Sequence, residues 1–467
     1  MGSTDINDPG LLTPAQAGLL IDQYELAMAS SYLMRGMNEP AVFELFVRHL
    51  PPRRHWLLAA GLGPALALVE AMRFGQEELA FLERRGFDAG FLAYLERFRF
   101  SGAVDAMPEG TIAFAGEPLV RVTAPRIEAQ LLETLLLNQI NFQTALATKA
   151  ARLVLAVGGG EPGRGGALVD FSPRRDHGTD AAMKAARAAA IAGAAGTSNV
   201  AAAMRYGLEP VGTMAHSYVL SFSDEREASE AFMQDAPGAA VMLVDTLDTP
   251  EGVRRAIAAA RSTGVRLAGV RLDSGDLLAL SRGARRLLDD AGMTDAAIVA
   301  SGDLDEREIE RLVEAGAPVA VWGVGTELGT SRDSPAVGGV YKLVADRRDG
   351  TGWRGVAKRS PAKATLPGPK QVYRRLREGV MVGDVVALAD EALAGRALLT
   401  PAMRNGRSLL RDSLGDLRAR ATAGLTELPA PLRRLDGAPP RPYPVTISSS
   451  LLEAGDFARE LPQHGRT

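Results

Sequence analysis

Hydrophobic and polar positions follow two rhythms along this chain, and the change between them divides it. Over residues 14–34, Leu19, Leu20, Tyr24, Leu26 and Met28 recur at helical spacing and predict a helix. The run Val42–Val47 reads as a strand, and helical patterns over 63–73, 76–84 and 88–95 are each bounded by Gly or Pro. Residues 99–124 break into short strands around Pro108-Glu109-Gly110 and Gly116-Glu117-Pro118, and 126–157 read as a long apolar helix or a helix pair. Gly158–Gly160 and Gly165-Gly166 read as a mobile connector, because they do not lie between a strand and a helix at the spacing a phosphate-cradling loop needs.

From there short β-branched runs alternate with helical stretches. The runs are Leu168–Phe171, Pro210–Gly212, Ala240–Val244, Leu267–Leu272, Ile298–Ala300, Val319–Trp322 and Val340–Val344. Helix formers and capping signals, among them Asp303 and Thr249-Pro250, fill 178–195, 224–234, 250–263, 276–291 and 304–315. Such βαβ alternation implies parallel strands. Seven of them with no division into halves predict an irregular, TIM-like α/β barrel. After about 345 the rhythm gives way to Arg/Gly/Pro-rich loops and short elements, and the proline-rich 428–444 is expected to wrap a surface.

Composition narrows the function classes. The 467 residues carry 53 basic against 56 acidic side chains, net −3, which argues against nucleic-acid or membrane binding driven by overall charge. With no cysteine, disulfides, thiolate metal sites and a cysteine nucleophile are excluded. Asp5, Asp8 and Pro9 stand where a secretory leader needs a basic start and an apolar run, and Ile6 breaks the myristoylation pattern. The expectation is a cytoplasmic chain.

A barrel places its chemistry at the C-terminal ends of its strands. Read in turn, these exits carry Asp170 through Gly178, Gly212 through Ser217, Asp245-Thr246, Arg271 through Asp276, Ser301-Gly302-Asp303 and Gly323 through Thr326. Paired arginines, glycine loops and several acids on one rim suit a polyphosphate with Mg²⁺: guanidinium forks and glycine backbone N–H groups bind phosphate oxygens, and Asp245 and Asp273 offer carboxylates. Asp303 reads as a helix N-cap ahead of a ligand. A lone histidine such as His216 is more often structural than catalytic, and His177 competes on the same rim; among phosphate-binding groups a neutral imidazole suits nucleophilic attack on a phosphoryl group.

Seven segments together resemble the nicotinate phosphoribosyltransferase family, in its order, over roughly residues 12–375: Asp22 through Met28, Phe171 through Gly178, Gly196 through Asn199, Gly212 through Ser217, Val244 through Thr246, Arg271 through Gly275 and Gly323 through Thr326. The resemblance implies a barrel over 125–345 beside a second, α+β domain built from 1–124 and 346–467. It also implies a homodimer with active sites shared between subunits, and nicotinate, phosphoribosyl diphosphate and ATP as substrates, with Mg²⁺. Tyr24 of one subunit and Phe171 of the other would sandwich the pyridine ring. Arg174 and Arg271 would contact nicotinate and phosphate groups, and Gly302, Gly323 and Gly325, with Thr326, would approach the sugar 5′-phosphate. Thr213 and Ser217 would flank His216, the residue phosphorylated by ATP, while Asp245 and Asp273 complete the catalytic group. Ser172-Pro173 and Asp176-His177 depart from the glycine, small-residue and glutamine choices commoner in the family, and the proline stiffens the arginine loop.

Ser198 bears on the substrate. The related nicotinamide enzymes carry an aspartate there, which would accept from an amide and repel nicotinate's carboxylate, whereas serine donates to that carboxylate. Quinolinate transferases match less of the chain. An aldolase-type barrel would need a Schiff-base lysine, for which Lys342 in the seventh run is the candidate, and a non-catalytic homologue would not need His216, Asp245, Arg271 and Asp273 together.

Overall fold

The computed structural model describes Thr13 and residues 16–162, 165–347, 352–358, 360, 363–435 and 441–454. The chain forms two compact units, one from Met1–Ala145, Ala336–Pro429 and Ala438–Thr467, the other from Leu146–Pro335 and Ala430–Gly437.

In the second unit six strands run parallel: β1 (Ala167–Asp170), β2 (Gly196–Thr197), β3 (Val241–Leu243), β4 (Gly269–Leu272), β5 (Ala297–Ala300) and β6 (Val321–Val324). Their order is β2-β1-β6-β5-β4-β3, so the first long strand pairs with the last and the sheet curls into a half-barrel. The curl does not close: among the described residues β2 and β3 do not pair, and the free side of β2 carries a single bridge, from Thr197 to Pro210. Leu168, Met242, Leu272, Ile298 and Trp322 are buried on these strands, which is why each reads as a short apolar run. The helices between them begin where side chains cap them, as Asp248 does for Thr249–Thr263 and Asp276 for Leu277–Asp290.

Three expectations need correction. The seventh run is not in the parallel sheet. Gly339–Asp346 pairs antiparallel with Pro40–Val47 in the other unit, where Tyr341 stacks on Phe43 and its hydroxyl donates to the Ala129 carbonyl. Lys342 therefore lies outside the parallel ring, which removes the aldolase reading. Secondly, Pro210–Gly212 supplies one bridge and not a strand, and the second strand is the two-residue Gly196–Thr197. Thirdly, Asp303 caps nothing: it sits at φ +41°, and Asp305 is the residue whose carboxylate accepts from Arg307 and Glu308 at the helix start.

The first unit holds a seven-stranded sheet centred on Pro40–Val47, Pro118–Pro125 and Ala103–Ala106, and a four-stranded sheet around Lys370–Arg377 and Val380–Leu388. Those last two strands, 8 and 9 residues long, replace the loops expected after 345. In the proline-rich stretch Leu432 and Leu435 are buried, while 436–440 lie outside the described residues. Among the described residues no helix is long and apolar enough to cross a membrane.

Candidate functional site

At the C-terminal ends of the parallel strands two cavities share one wall. Phe171, Arg174, Arg271 and Asp273 line both. The smaller, about 190 Å³, is completed by Arg175, Ser301, Gly302, Gly323, Gly325 and Thr326, with Glu327 and Arg332 at one side. The larger, about 440 Å³, is completed by Ser198, Gly212 through His216 and Leu243. The segments read from sequence thus meet in one place, with three residues off the lining: Asp245, which lies beneath it, Ser217 and Tyr24. Ser217 is exposed and lines neither cavity, and Tyr24 belongs to the other unit, where it is half exposed. Burial and the nearby Glu133 push its hydroxyl pKa up.

Arg271 is the hub of the wall. Its Nε donates to Ser301 Oγ at 2.8 Å, one terminal nitrogen to Thr213 Oγ1 at 3.1 Å, and the other to Asp273 Oδ1 at 2.6 Å. The guanidinium also stands 5.5 Å from the centre of the Phe171 ring. With three directions fixed, the cation is held in place before any ligand arrives. Burial alone would raise the Asp273 pKa, but Ser301 and Arg271 hold it below the usual carboxylate range, so Asp273 stays ionised.

Asp245 lies under this wall with its side chain 2% exposed. One oxygen accepts from the Asp273 backbone N–H and from Ser274 Oγ, both at 2.9 Å. The other is 3.3 Å from His216 Nε2. A carboxylate accepts only, so in this contact Nε2 is the donor and Nδ1 is the nitrogen not engaged by Asp245. The imidazole itself is 44% exposed and lines the larger cavity.

The glycines have steric reasons. A Cβ on Gly323 would fall 2.5 Å from the Phe171 ring, so glycine there is what lets the ring pack across the strand. Gly302, at φ +93°, would place a Cβ 1.9 Å from the Asp273 carbonyl. The arginine loop is tied down through Arg175, which donates to Thr326 Oγ1 at 3.0 Å, and Asp176, which accepts from Ser172 Oγ at 3.0 Å. Asp176 reaches this position because Gly329 has no Cβ; one would lie 1.7 Å from its Oδ1. Sequence reasoning gave no role to Ser301 or Arg332. Ser301 stood in a strand exit, where its bridging geometry is not visible, and no pattern marked Arg332.

Burial pushes Asp176 up to about 6, with Ser172 opposing. A carboxyl whose pKa rises from about 3.9 on folding favours the protonated native state, so its contribution is intact below pH ~4 and is lost as pH climbs through 6. Asp176→Asn is therefore expected to stabilise the protein by about 1–2 kcal/mol at pH 7.5 and by nothing at pH 4, read from denaturant midpoints. A gain independent of pH would contradict this origin.

Arg174 and Arg271 line both cavities and Arg175 and Arg332 the smaller one, a lining that suits anionic ligands, and with the fold it defines the class as an α/β half-barrel with a cationic rim at its strand exits. Comparison with known proteins makes the assignment specific. Residues 19–141 match the model of the nicotinate phosphoribosyltransferase N-terminal domain, and residues 167–342 the model of the nicotinate phosphoribosyltransferase family. Nicotinate phosphoribosyltransferase pncB2 of Mycobacterium tuberculosis is 46% identical over 446 residues, covering 94% of this chain and 93% of that one. Nicotinate phosphoribosyltransferase of Bacillus subtilis is 43% identical over 79% of this chain and 76% of its own length. The crystal structure of the human nicotinic acid phosphoribosyltransferase superposes with a TM-score of 0.79 at 28% identity, covering 94% of this chain and all of that one. The chain belongs to the nicotinate phosphoribosyltransferase family.

Proposed function

We propose that this site joins nicotinate to the ribosyl C1 of phosphoribosyl diphosphate, forming nicotinate mononucleotide and diphosphate for NAD biosynthesis, coupled to ATP through His216. The observation that carries the choice of pyridine is Ser198. Its Oγ is buried without a hydrogen-bond partner among the described residues, and the residue lines the larger cavity. An orphaned buried hydroxyl is costly unless a ligand completes it, and a carboxylate acceptor does so.

In this reading the pyridine ring lies against Phe171, with Tyr24 of a second copy on its other face in a homodimer. Its nitrogen lone pair attacks C1 as the bond to diphosphate breaks. That nitrogen is already nucleophilic, so no general base is assigned. Charge leaving on diphosphate is met by Arg174, Arg175 and Arg271, and the sugar 5′-phosphate by the backbone around Gly302 and Gly325 and by Thr326. ATP transfers its γ-phosphoryl to His216 Nδ1 and departs as ADP, and water later releases phosphate. Thr213 orients Arg271, and Ser217 borders the histidine turn.

A magnesium ion fits one of the two carboxylates named for it. Asp245 has both oxygens engaged, whereas Asp273 Oδ2 accepts no hydrogen bond among the described residues. No cluster of three metal-binding side chains occurs among the described residues, which suits a cation that takes one carboxylate and draws its other ligands from substrate phosphates and water. Held there, it would neutralise charge developing on diphosphate. Asp245 is then a positioning residue for His216 and Asp273. Charged substrates of this kind place the reaction in the cytoplasm.

Ser198→Asp tests the reading. Nicotinate kcat/KM is expected to fall by ~10²-fold or more, through carboxylate repulsion in a confined site, while the much lower nicotinamide value holds or rises. An unchanged preference between the two pyridines would remove Ser198 as the specificity position.

A further inference from the structure

Behind the smaller cavity a lysine is buried where the transfer chemistry gives it no part. Lys149 is 1% exposed, and its Nζ meets three carboxylates: Glu306 at 2.5 Å, Asp333 at 3.0 Å and Glu327 at 3.1 Å. Glu306 is shared with Arg152, whose Nε donates to it at 3.0 Å. Burial alone would lower the Lys149 pKa, but Glu306 and Asp333 outweigh it and keep the ammonium charged.

Two of the three carboxylates belong to one turn, 325–334, and that turn is a wall of the anion cavity. Gly325, Thr326, Glu327 and Arg332 line it. Within it Thr326–Thr330 forms a short helix, after which Ser331 takes φ +44°, a left-handed conformation disfavoured for serine. Lys149 grips the turn at both ends, through Glu327 beside Thr326 and through Asp333 beside Arg332. Glu327 is also an anion in a cavity whose ligand is anionic. Its Oε2 is drawn onto Lys149, leaving Oε1 3.5 Å from Arg332.

We infer that Lys149 is a positioning residue for the binding of phosphoribosyl diphosphate: it fixes the turn that presents Thr326 and Arg332, and it neutralises Glu327, which would otherwise repel the substrate's phosphates. The inference rests on the reading of the smaller cavity as a phosphate site, and it makes separate predictions about binding, charge and packing.

The experiment compares steady-state kinetics of wild type, Lys149→Met, Lys149→Arg and Lys149→Met/Glu327→Gln, varying phosphoribosyl diphosphate at saturating nicotinate. Lys149→Met is expected to raise KM for phosphoribosyl diphosphate by ~10-fold or more, with kcat within about threefold and KM for nicotinate unchanged, since uniform binding of one substrate is lost. Lys149→Arg should retain most of the affinity, and the double variant should recover KM at least ~threefold relative to Lys149→Met without reaching wild type, because the anion beside the substrate is gone while the tether stays lost. A purely structural lysine would lower stability without a selective rise in KM for phosphoribosyl diphosphate. An unchanged KM in Lys149→Met, or no recovery in the double variant, overturns the inference. If Lys149→Met does not fold, Asp333→Asn, which leaves the ammonium two carboxylates, is read instead: a raised KM supports the tether and an unchanged one overturns it. Failure of the underlying reading looks different: Arg175→Ala and Thr326→Ala, on the cavity itself, would then leave KM for phosphoribosyl diphosphate unchanged.

Discussion

Replacing His216 with alanine is expected to abolish the stimulation of turnover by ATP while leaving a slow, ATP-independent formation of nicotinate mononucleotide. The expectation follows from how the imidazole is held. Asp245, buried, accepts from Nε2, and Nδ1 is the nitrogen this contact leaves unengaged on a ring that lines the larger cavity. Alanine removes the nitrogen proposed to receive a phosphoryl group, whereas Arg271, Asp273 and the glycine turns proposed to hold the sugar diphosphate remain. The ratio of rates with and without ATP should therefore fall to about one, with the ATP-independent rate within about threefold of wild type. Steady-state product formation at fixed nicotinate and phosphoribosyl diphosphate measures both. An equal ATP stimulation in the variant would remove histidine phosphorylation from the mechanism.

Asp273→Asn should have an effect of comparable size on a different step. The carboxylate pairs with Arg271, accepts from Ser301 and keeps one oxygen towards the cavity. An amide keeps the shape but removes the charge. The Arg271 guanidinium, only 14% exposed, then lacks its counter-ion, and the magnesium ion proposed to sit on Asp273 would lose that ligand. Both changes weaken stabilisation of the departing diphosphate, so kcat should drop by ~10²–10³-fold with little change in KM for nicotinate, and half-maximal activity should need more Mg²⁺. A variant whose kcat stays within about threefold of wild type would show that Asp273 does not act at the transition state.

The half-barrel was legible because buried parallel strands read as short apolar runs and helices announce themselves by caps such as Asp248 and Asp276. The seventh run was misplaced for the same reason: Gly339–Asp346 has strand composition, and nothing in a local pattern says which sheet it joins. That is decided by Tyr341 stacking on Phe43, almost 300 residues away. Gly196–Thr197 is too short to show a period. The strand Lys370–Arg377 was missed because it carries four basic residues, a composition that argues against burial. Its buried charges are matched by partners elsewhere, Lys370 by Glu44 of the other sheet and Arg374 by Asp384 on the neighbouring strand, and such pairings cannot be seen along a sequence.

Much the same holds for the site. Residues at strand exits were found because topology alone sends them to one rim. Their division of labour was not. Asp245 and Asp273 stand in similar acidic motifs, yet one has both oxygens taken by protein donors while the other keeps one open to the cavity. Gly323 was expected near a phosphate, and its first requirement is room for the Phe171 ring.

The most direct measurement is product formation from nicotinate and, separately, from nicotinamide, each with phosphoribosyl diphosphate and Mg²⁺, with and without ATP. The account predicts nicotinate mononucleotide and diphosphate in equal amounts, accelerated by ATP, with nicotinamide at least ~10²-fold poorer in kcat/KM. Equal or better use of nicotinamide, or pyridine nucleotide formed without release of diphosphate, would contradict it.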